Sequence, residues 1–173
     1  MSEARKAAWA FSRAVTNFRG LQQRSEIIEL SDGTALIDDT YNSNPLAMER
    51  MLETLAAWPG FRRRLVVAGE MLELGGSSPD LHREVGRKCA AAGADWVVAV
   101  QGNARYFLEG AVEAGMPGER TQFCSNAQEA AQFCRALVRP GDLVLVKGSR
   151  SVALESVVND IAHFAEARAL AFP

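Results

Sequence analysis

Residues able to do chemistry gather at four places in this chain, each just behind an apolar run or at the head of a helical pattern. The first is Asp38-Asp39-Thr40-Tyr41-Asn42-Ser43-Asn44-Pro45, which follows Ala35-Leu36-Ile37. A short apolar run closed by acids reads as a buried strand at its carboxyl end. Asn44 can cap the free N–H groups of the next helix, and Pro45 suits the first helical position because it has no N–H to leave unpaired. Helix N-termini favour anions, so Asp39, Tyr41, Asn42 and Ser43 form a polar crest where open α/β sheets bind ligands. Taken alone, such a stretch can equally be a strand stop followed by a turn. The second place is Gly69-Glu70-Met71-Leu72-Glu73-Leu74-Gly75-Gly76, two acids between glycines in the loop after residues 65–68. The third is His82, in the first turn of a helix that starts at Ser78-Pro79 and so repeats the device of Asn44-Pro45. It lies one position off the expected buried stripe of Leu81, Val85, Cys89 and Ala92 and, taken alone, reads first as a structural histidine, although its first-turn position aims it toward the same rim as Glu70. The fourth is Lys147-Gly148-Ser149-Arg150-Ser151, cations and hydroxyls around a glycine between a strand and a helix start. That pattern suits an anion-binding turn, with an exposed structural turn as the even alternative.

The elements that must position these residues follow from periodicity. Residues 26–30 and 34–38 flank Ser31-Asp32-Gly33-Thr34 and predict an antiparallel hairpin. Met48, Met51, Leu52 and Leu55 share one helical face up to Pro59-Gly60. Arg62-Arg63-Arg64 reads as a solvated charge run before the strand at 65–68. A helix over 78–92 stopped by Gly93, a strand at 96–100 closed by Gln101-Gly102, and a helix near 104–114 with Phe107, Leu108 and Val112 come next. Then follow a strand at 121–124, a helix opened by the capping-box-like Asn126-Ala127-Gln128-Glu129, a strand at 142–146 and a helix to about residue 165. Strands alternating with helices predict an α/β fold, a Rossmann-like three-layer sandwich whose mostly parallel sheet has one antiparallel edge strand. Residues 1–19 carry Ala8, Phe11, Val15 and Phe18 on one helical stripe and read as a helical linker, with a domain over 20–173.

Composition narrows the function classes. The chain has 173 residues, is 48% hydrophobic and 23% charged, and carries a net charge of -2, so no basic surface marks it for nucleic acid or an anionic membrane. Its apolar runs fall well short of the roughly 18 to 20 residues of a membrane span. The 3 cysteines (Cys89, Cys124, Cys134) show no C-x-x-C spacing and the chain has 2 histidines, which argues against a disulfide framework or a zinc site. Reduced core thiols in a cytoplasmic monomer are the expectation.

Paired acids after an early strand and a lysine after the last one also fit a phosphorylated receiver domain. That plan needs an aspartate after the central strand, where this chain has Gln101-Gly102.

The four segments, in this order and spread over about residues 20–160, resemble instead the C-terminal domain of the Mur ligases, and within them the D-alanyl-D-alanine-adding type. The resemblance implies an ATP-dependent amide ligation in peptidoglycan precursor synthesis in the bacterial cytoplasm. ATP phosphorylates the terminal carboxylate of a UDP-linked tripeptide, and the amine of D-Ala-D-Ala attacks the acyl phosphate. The phosphate loop and the Mg²⁺ ligands belong to the family's central domain, and no G-x-x-x-x-G-K-[ST] occurs in this chain. The resemblance therefore implies a closing domain, inactive alone, with no catalytic residue and no metal ligand of its own. Residues 1–19 then correspond to the end of a preceding ATPase domain. Arg24, Asp39 and Asn42 match positions on the ATP side. Lys147, Ser149 and Arg150 match the motif on the D-Ala-D-Ala side. Tyr41, Asn44, Glu70, Glu73 and His82 match the rim between domains. Ser43 stands where alanine is common in this type. An equivalent domain of another Mur or folylpolyglutamate-type ligase, or a non-catalytic binding module of the same fold, is the alternative. A histidine near position 42 would favour the former, and loss of Asp39, Lys147 or Arg150 the latter.

Overall fold

The apolar runs become strands because each is short, rich in β-branched residues and closed by a polar residue or glycine. The computed structural model describes residues 25–171, so Arg24 and the expected helix over 1–19 lie outside the described residues. The strands are β1 (Glu26–Glu29), β2 (Ala35–Asp39), β3 (Arg64–Gly69), β4 (Trp96–Val100), β5 (Thr121–Cys124) and β6 (Leu143–Lys147). Between and after them lie helices α1 (Pro45–Ala57), α2 (Ser78–Ala91), α3 (Arg105–Glu113), α4 (Ala127–Leu137) and α5 (Glu155–Ala171). The strands form one sheet in the order β1-β2-β6-β3-β4-β5. β1 pairs antiparallel with β2, as the hairpin reading expects, and every other neighbouring pair is parallel.

Successive residues of a strand face opposite sides of the sheet, and each side is covered by helices. Ile37, Val66, Val97 and Leu145 pack against Met48, Leu55, Val85 and Phe107 of α1, α2 and α3. Leu36, Val67, Val98 and Val146 pack against Ala130, Cys134, Val157 and Ile161 of α4 and α5. The result is the expected three-layer sandwich. β6 inserts between β2 and β3, and its helix leaves to the side opposite to theirs. The reversal opens a crevice at the carboxyl ends of these three strands, the place where such sheets bind ligands. Cys89, Cys124 and Cys134 are free and buried, and burial pushes the Cys89 thiol up to about 12.

Several local expectations are corrected by packing. The arginine run is solvated at Arg62, as expected, but not at Arg63 and Arg64. Arg63 pairs with the buried Asp142 at 2.5 Å and donates to Leu137 O, while Arg64 donates to Leu55 O and Trp58 O at the end of α1. Charged heads on long stems clip loops together here, a role that composition cannot distinguish from exposure. Asp142 thereby precedes β6, which starts one residue later than expected and takes in Lys147. The buried stripe of α2 is Ser78, His82, Val85, Gly86 and Cys89, not one through Leu81, and in α3 Gly110 and Ala111 are buried while Val112 is exposed. Small and polar residues occupy the seam between these two helices, so a count of apolar residues misplaces it. Asn44 caps α1 as expected, its Oδ1 accepting from Ala47 N at 2.8 Å. Ser78 does not cap α2: a 3₁₀ turn at Gly75–Ser77 precedes it, and Ser78 is the first helical residue. At α4, Asn126 accepts from Glu129 N, but the Glu129 carboxylate turns to Ser125 instead of closing a capping box. α5 runs past residue 165 to Ala171, and Arg168 fastens it to Asp32 and to Val138 O.

Candidate functional site

The carboxyl end of β2 turns because Asp38, itself buried, accepts hydrogen bonds from Thr40 N at 3.2 Å and Thr40 Oγ1 at 2.8 Å. Burial pushes the Asp38 carboxyl up even though these bonds favour its charged form. The turn leads into Tyr41, Asn42 and Ser43, where Asn42 Oδ1 accepts from Ser43 N at 2.8 Å. Beside it, β6 ends on Lys147, whose side chain is 1% exposed. Its Nζ donates to Asp39 Oδ2 at 2.6 Å and to Asn42 O at 2.7 Å. Gly148 follows where a Cβ would come within 2.8 Å of Leu154 Cδ1, so only glycine passes this point without a shift. Ser149 is also buried, and its Oγ donates to Glu70 O at 3.0 Å. Arg150 is exposed, with its guanidinium carbon 5.9 Å from the Tyr41 ring centroid.

The loop after β3 is fixed from below. Glu70 accepts from Asn103 N at 2.9 Å, and Met71 N donates to His82 Nε2 at 3.0 Å. His82 Nδ1 lies 2.7 Å from Ser78 O, so the bonding pattern assigns the proton to Nδ1 and leaves Nε2 as acceptor. Asn103 Nδ2 donates to Ser78 Oγ, which closes the network at the head of α2. Gln101-Gly102-Asn103 follows β4 as the other motifs follow their strands, and that is the signal by which Asn103 could have been found.

His82 is fully buried against Phe107, with ring centroids 4.7 Å apart: this is the structural place its pattern favours when taken alone, and not the rim that the family match implies. Burial lowers its pKa below the ordinary 6.5, against a smaller opposing effect of the Ser78 carbonyl and Glu70. A histidine held neutral in the fold contributes stability that is present above its unfolded value and is lost as pH falls through and below about 6.5. The melting temperature of this chain is therefore expected to fall between pH 7.5 and 5.5, and His82→Gln should flatten that slope. A wild-type slope equal to that of the variant would count against it. The second histidine, His163, is exposed.

Three crests thus surround a cleft of about 520 Å³: Tyr41, Asn42 and Ser43 after β2, Leu72 and Glu73 after β3, and Ser149, Arg150 and Ser151 after β6. Of the residues singled out from sequence, Tyr41, Asn42, Ser43, Glu73, Ser149, Arg150 and Ser151 meet there. Asp39 and Lys147 lie beneath it as an ion pair, Asn44 serves its helix, and Glu70 holds the turn after β4. That ion pair joins the β2 and β6 crests, since a long lysine stem lets β6 reach under its neighbour. Leu72, a partly exposed apolar side chain in a polar loop, is a wall of the cleft that residue type alone did not indicate. Arg150 has no carboxylate partner among the described residues and gives the cleft a cation free to meet an anion. Among the described residues no group of His, Cys, Asp and Glu is placed to hold a metal ion, and no helix is long and apolar enough to cross a membrane.

The family described as Mur ligase, glutamate ligase domain, matches residues 23–150. The UDP-N-acetylmuramoyl-tripeptide–D-alanyl-D-alanine ligase of Mycobacterium leprae is 37% identical over 155 residues, which cover 80% of this chain and 29% of that protein. A MurF structure from Acinetobacter baumannii matches with a TM-score of 0.73 and 31% identity, over 84% of this chain and 31% of that one. A MurF ligase from Thermotoga maritima, solved in complex with ADP, shares the fold with a TM-score of 0.71 at 24% identity, over 92% of this chain and 37% of that one. The chain spans about a third of the length of the curated relatives it matches.

Proposed function

The chain belongs to the Mur ligase family through its glutamate ligase domain, and from that membership we propose that it is the closing domain of an ATP-dependent ligase that joins D-alanyl-D-alanine to UDP-N-acetylmuramoyl-tripeptide in the bacterial cytoplasm. In that reaction the γ-phosphoryl group passes from ATP to the tripeptide carboxylate. The dipeptide amine then forms the amide bond as phosphate leaves. This chain's share is to cover the nucleotide and to present the dipeptide when the domains close. The observation that carries the reading is the exposed Arg150 guanidinium, which has no carboxylate partner among the described residues and lines the cleft together with Asn42 where strand order reverses.

On this reading Asn42 faces the nucleotide, with Asp39 fixed beneath it, and Arg150 pairs with the free carboxylate of the dipeptide by a charge-assisted hydrogen bond. The Tyr41 ring and Leu72 supply flat and apolar walls that exclude water once the domain is shut. Mg²⁺, which the family implies, does not fit any cluster of described residues and is assigned to the part of the ligase outside this chain. Phosphate release by the purified chain with ATP tests this division of labour. A rate equal to the buffer blank is expected, and sustained hydrolysis would show that the chain holds phosphate-transfer machinery of its own.

A further inference from the structure

Of the three residues that match the dipeptide side of the family motif, two face inward. The Lys147 side chain is 1% exposed and Ser149 is buried, whereas Arg150 is open to solvent. Lys147 Nζ spends two donors on its neighbour crest, at 2.6 Å to Asp39 Oδ2 and 2.7 Å to Asn42 O. Ser149 Oγ spends its donor on Glu70 O, in the loop on the other side. The parallel ladder of β2 and β6 ends at the pair Asp39 and Lys147. Beyond it, the bonds of Thr40 and Ser43 are made within the crest itself, to Asp38 and Asn42. Lys147 Nζ donates across this gap to Asn42 O and so ties Asn42 to β6.

We propose that Lys147 is a positioning residue: it locks the Asn42 crest to the Arg150 crest so that both meet their ligands as one unit, and it does not touch the dipeptide. This rests on assigning the cleft to ATP and D-alanyl-D-alanine. A buried ammonium that has a carboxylate at 2.6 Å and a carbonyl at 2.7 Å has no open path to a third anion, and removing it takes from Asn42 the bond that fixes its carbonyl to β6.

Kinetics of the whole ligase test the proposal. Lys147→Met is expected to raise the Michaelis constants for ATP and for D-alanyl-D-alanine together, each by about tenfold or more. A rise for the dipeptide alone, or for neither substrate, would overturn the proposal. Because loss of a buried charge can also prevent folding, a second measurement uses the wild-type protein. Acetic anhydride labelling read by mass spectrometry should modify Lys88, whose side chain is 36% exposed, and leave Lys147 unmodified with or without the dipeptide. Labelling of Lys147 that the dipeptide protects against would make it a ligand and defeat the proposal. If no variant and no wild-type ligase forms product with D-alanyl-D-alanine, the functional reading fails, and the labelling of this chain alone still decides whether Lys147 is locked.

Discussion

Replacing Arg150 by alanine in the whole ligase is expected to raise the Michaelis constant for D-alanyl-D-alanine about ten- to a hundredfold, and to leave that for ATP within about twofold. The guanidinium lines the cleft beside the Tyr41 ring and, among the described residues, has no carboxylate to satisfy it. A hydrogen bond to a charged group contributes roughly 1.5 to 3 kcal/mol, and the upper part of that range needs water to be excluded. The effect should therefore depend on domain closure, so the isolated chain would bind the dipeptide weakly whatever stands at position 150. Arg150→Lys should recover only part of the loss, because an ammonium cannot meet a carboxylate through two parallel bonds. Initial rates with each substrate varied in turn separate the constants. Equal impairment of both substrates by Arg150→Ala would mean that the side chain serves closure instead of recognition.

The largest expected effect on stability lies away from the cleft, where α2 and α3 cross. A Cβ at Gly86 would stand 2.0 Å from Phe107 O, and one at Gly110 would stand 1.9 Å from Arg83 O. Both obstacles are backbone atoms, so no rotamer change relieves them and the helices must part. Alanine would favour an exposed helix by about 1 kcal/mol, whereas overpacking costs typically about 1 to 3 kcal/mol and more when backbone has to move. Parting the helices also draws Phe107 away from His82, whose Nε2 accepts from Met71 N. Gly86→Ala and Gly110→Ala are each expected to destabilise the chain by about 2 kcal/mol or more, a fall of roughly 4 to 8 °C in melting temperature. Gly76→Ala, with nothing within 4 Å of its Cβ, is the neutral control. The pairs Arg83–Glu109 and Arg87–Glu113 span the same seam but are exposed, and such pairs add too little to compensate. Melting curves followed by circular dichroism check this, and unchanged midpoints for both variants would contradict the close approach.

β2, β3, β4 and β6 and the polar residues behind them were legible in the sequence because each of these strands is a short apolar run with a hard stop. Asn44-Pro45 showed the start of α1 for the same local reason. Strand order was not legible: the insertion of β6 between β2 and β3 is a pairing over some hundred residues, and no local signal carries it. Residue type also failed to show direction. Lys147 and Arg150 look alike as cations near a glycine, yet one is a buried strut and the other faces the cleft. His82 read as structural when taken alone, but its place on the buried stripe stayed hidden because its neighbours there, Ser78 and Gly86, are not apolar. Arg63 and Arg64 were misread in the same way, since burial of their heads depends on carbonyls that the fold brings to them.

Amine choice by the whole ligase tests the proposed activity most directly. The enzyme is given ATP and UDP-N-acetylmuramoyl-tripeptide, and D-alanyl-D-alanine or a single free amino acid is offered in separate reactions, with products read by mass spectrometry. An amide product with D-alanyl-D-alanine, formed together with ADP and phosphate, and no product with D-alanine, D-glutamate or L-lysine is the predicted result. Product with one of the single amino acids and none with the dipeptide would contradict it.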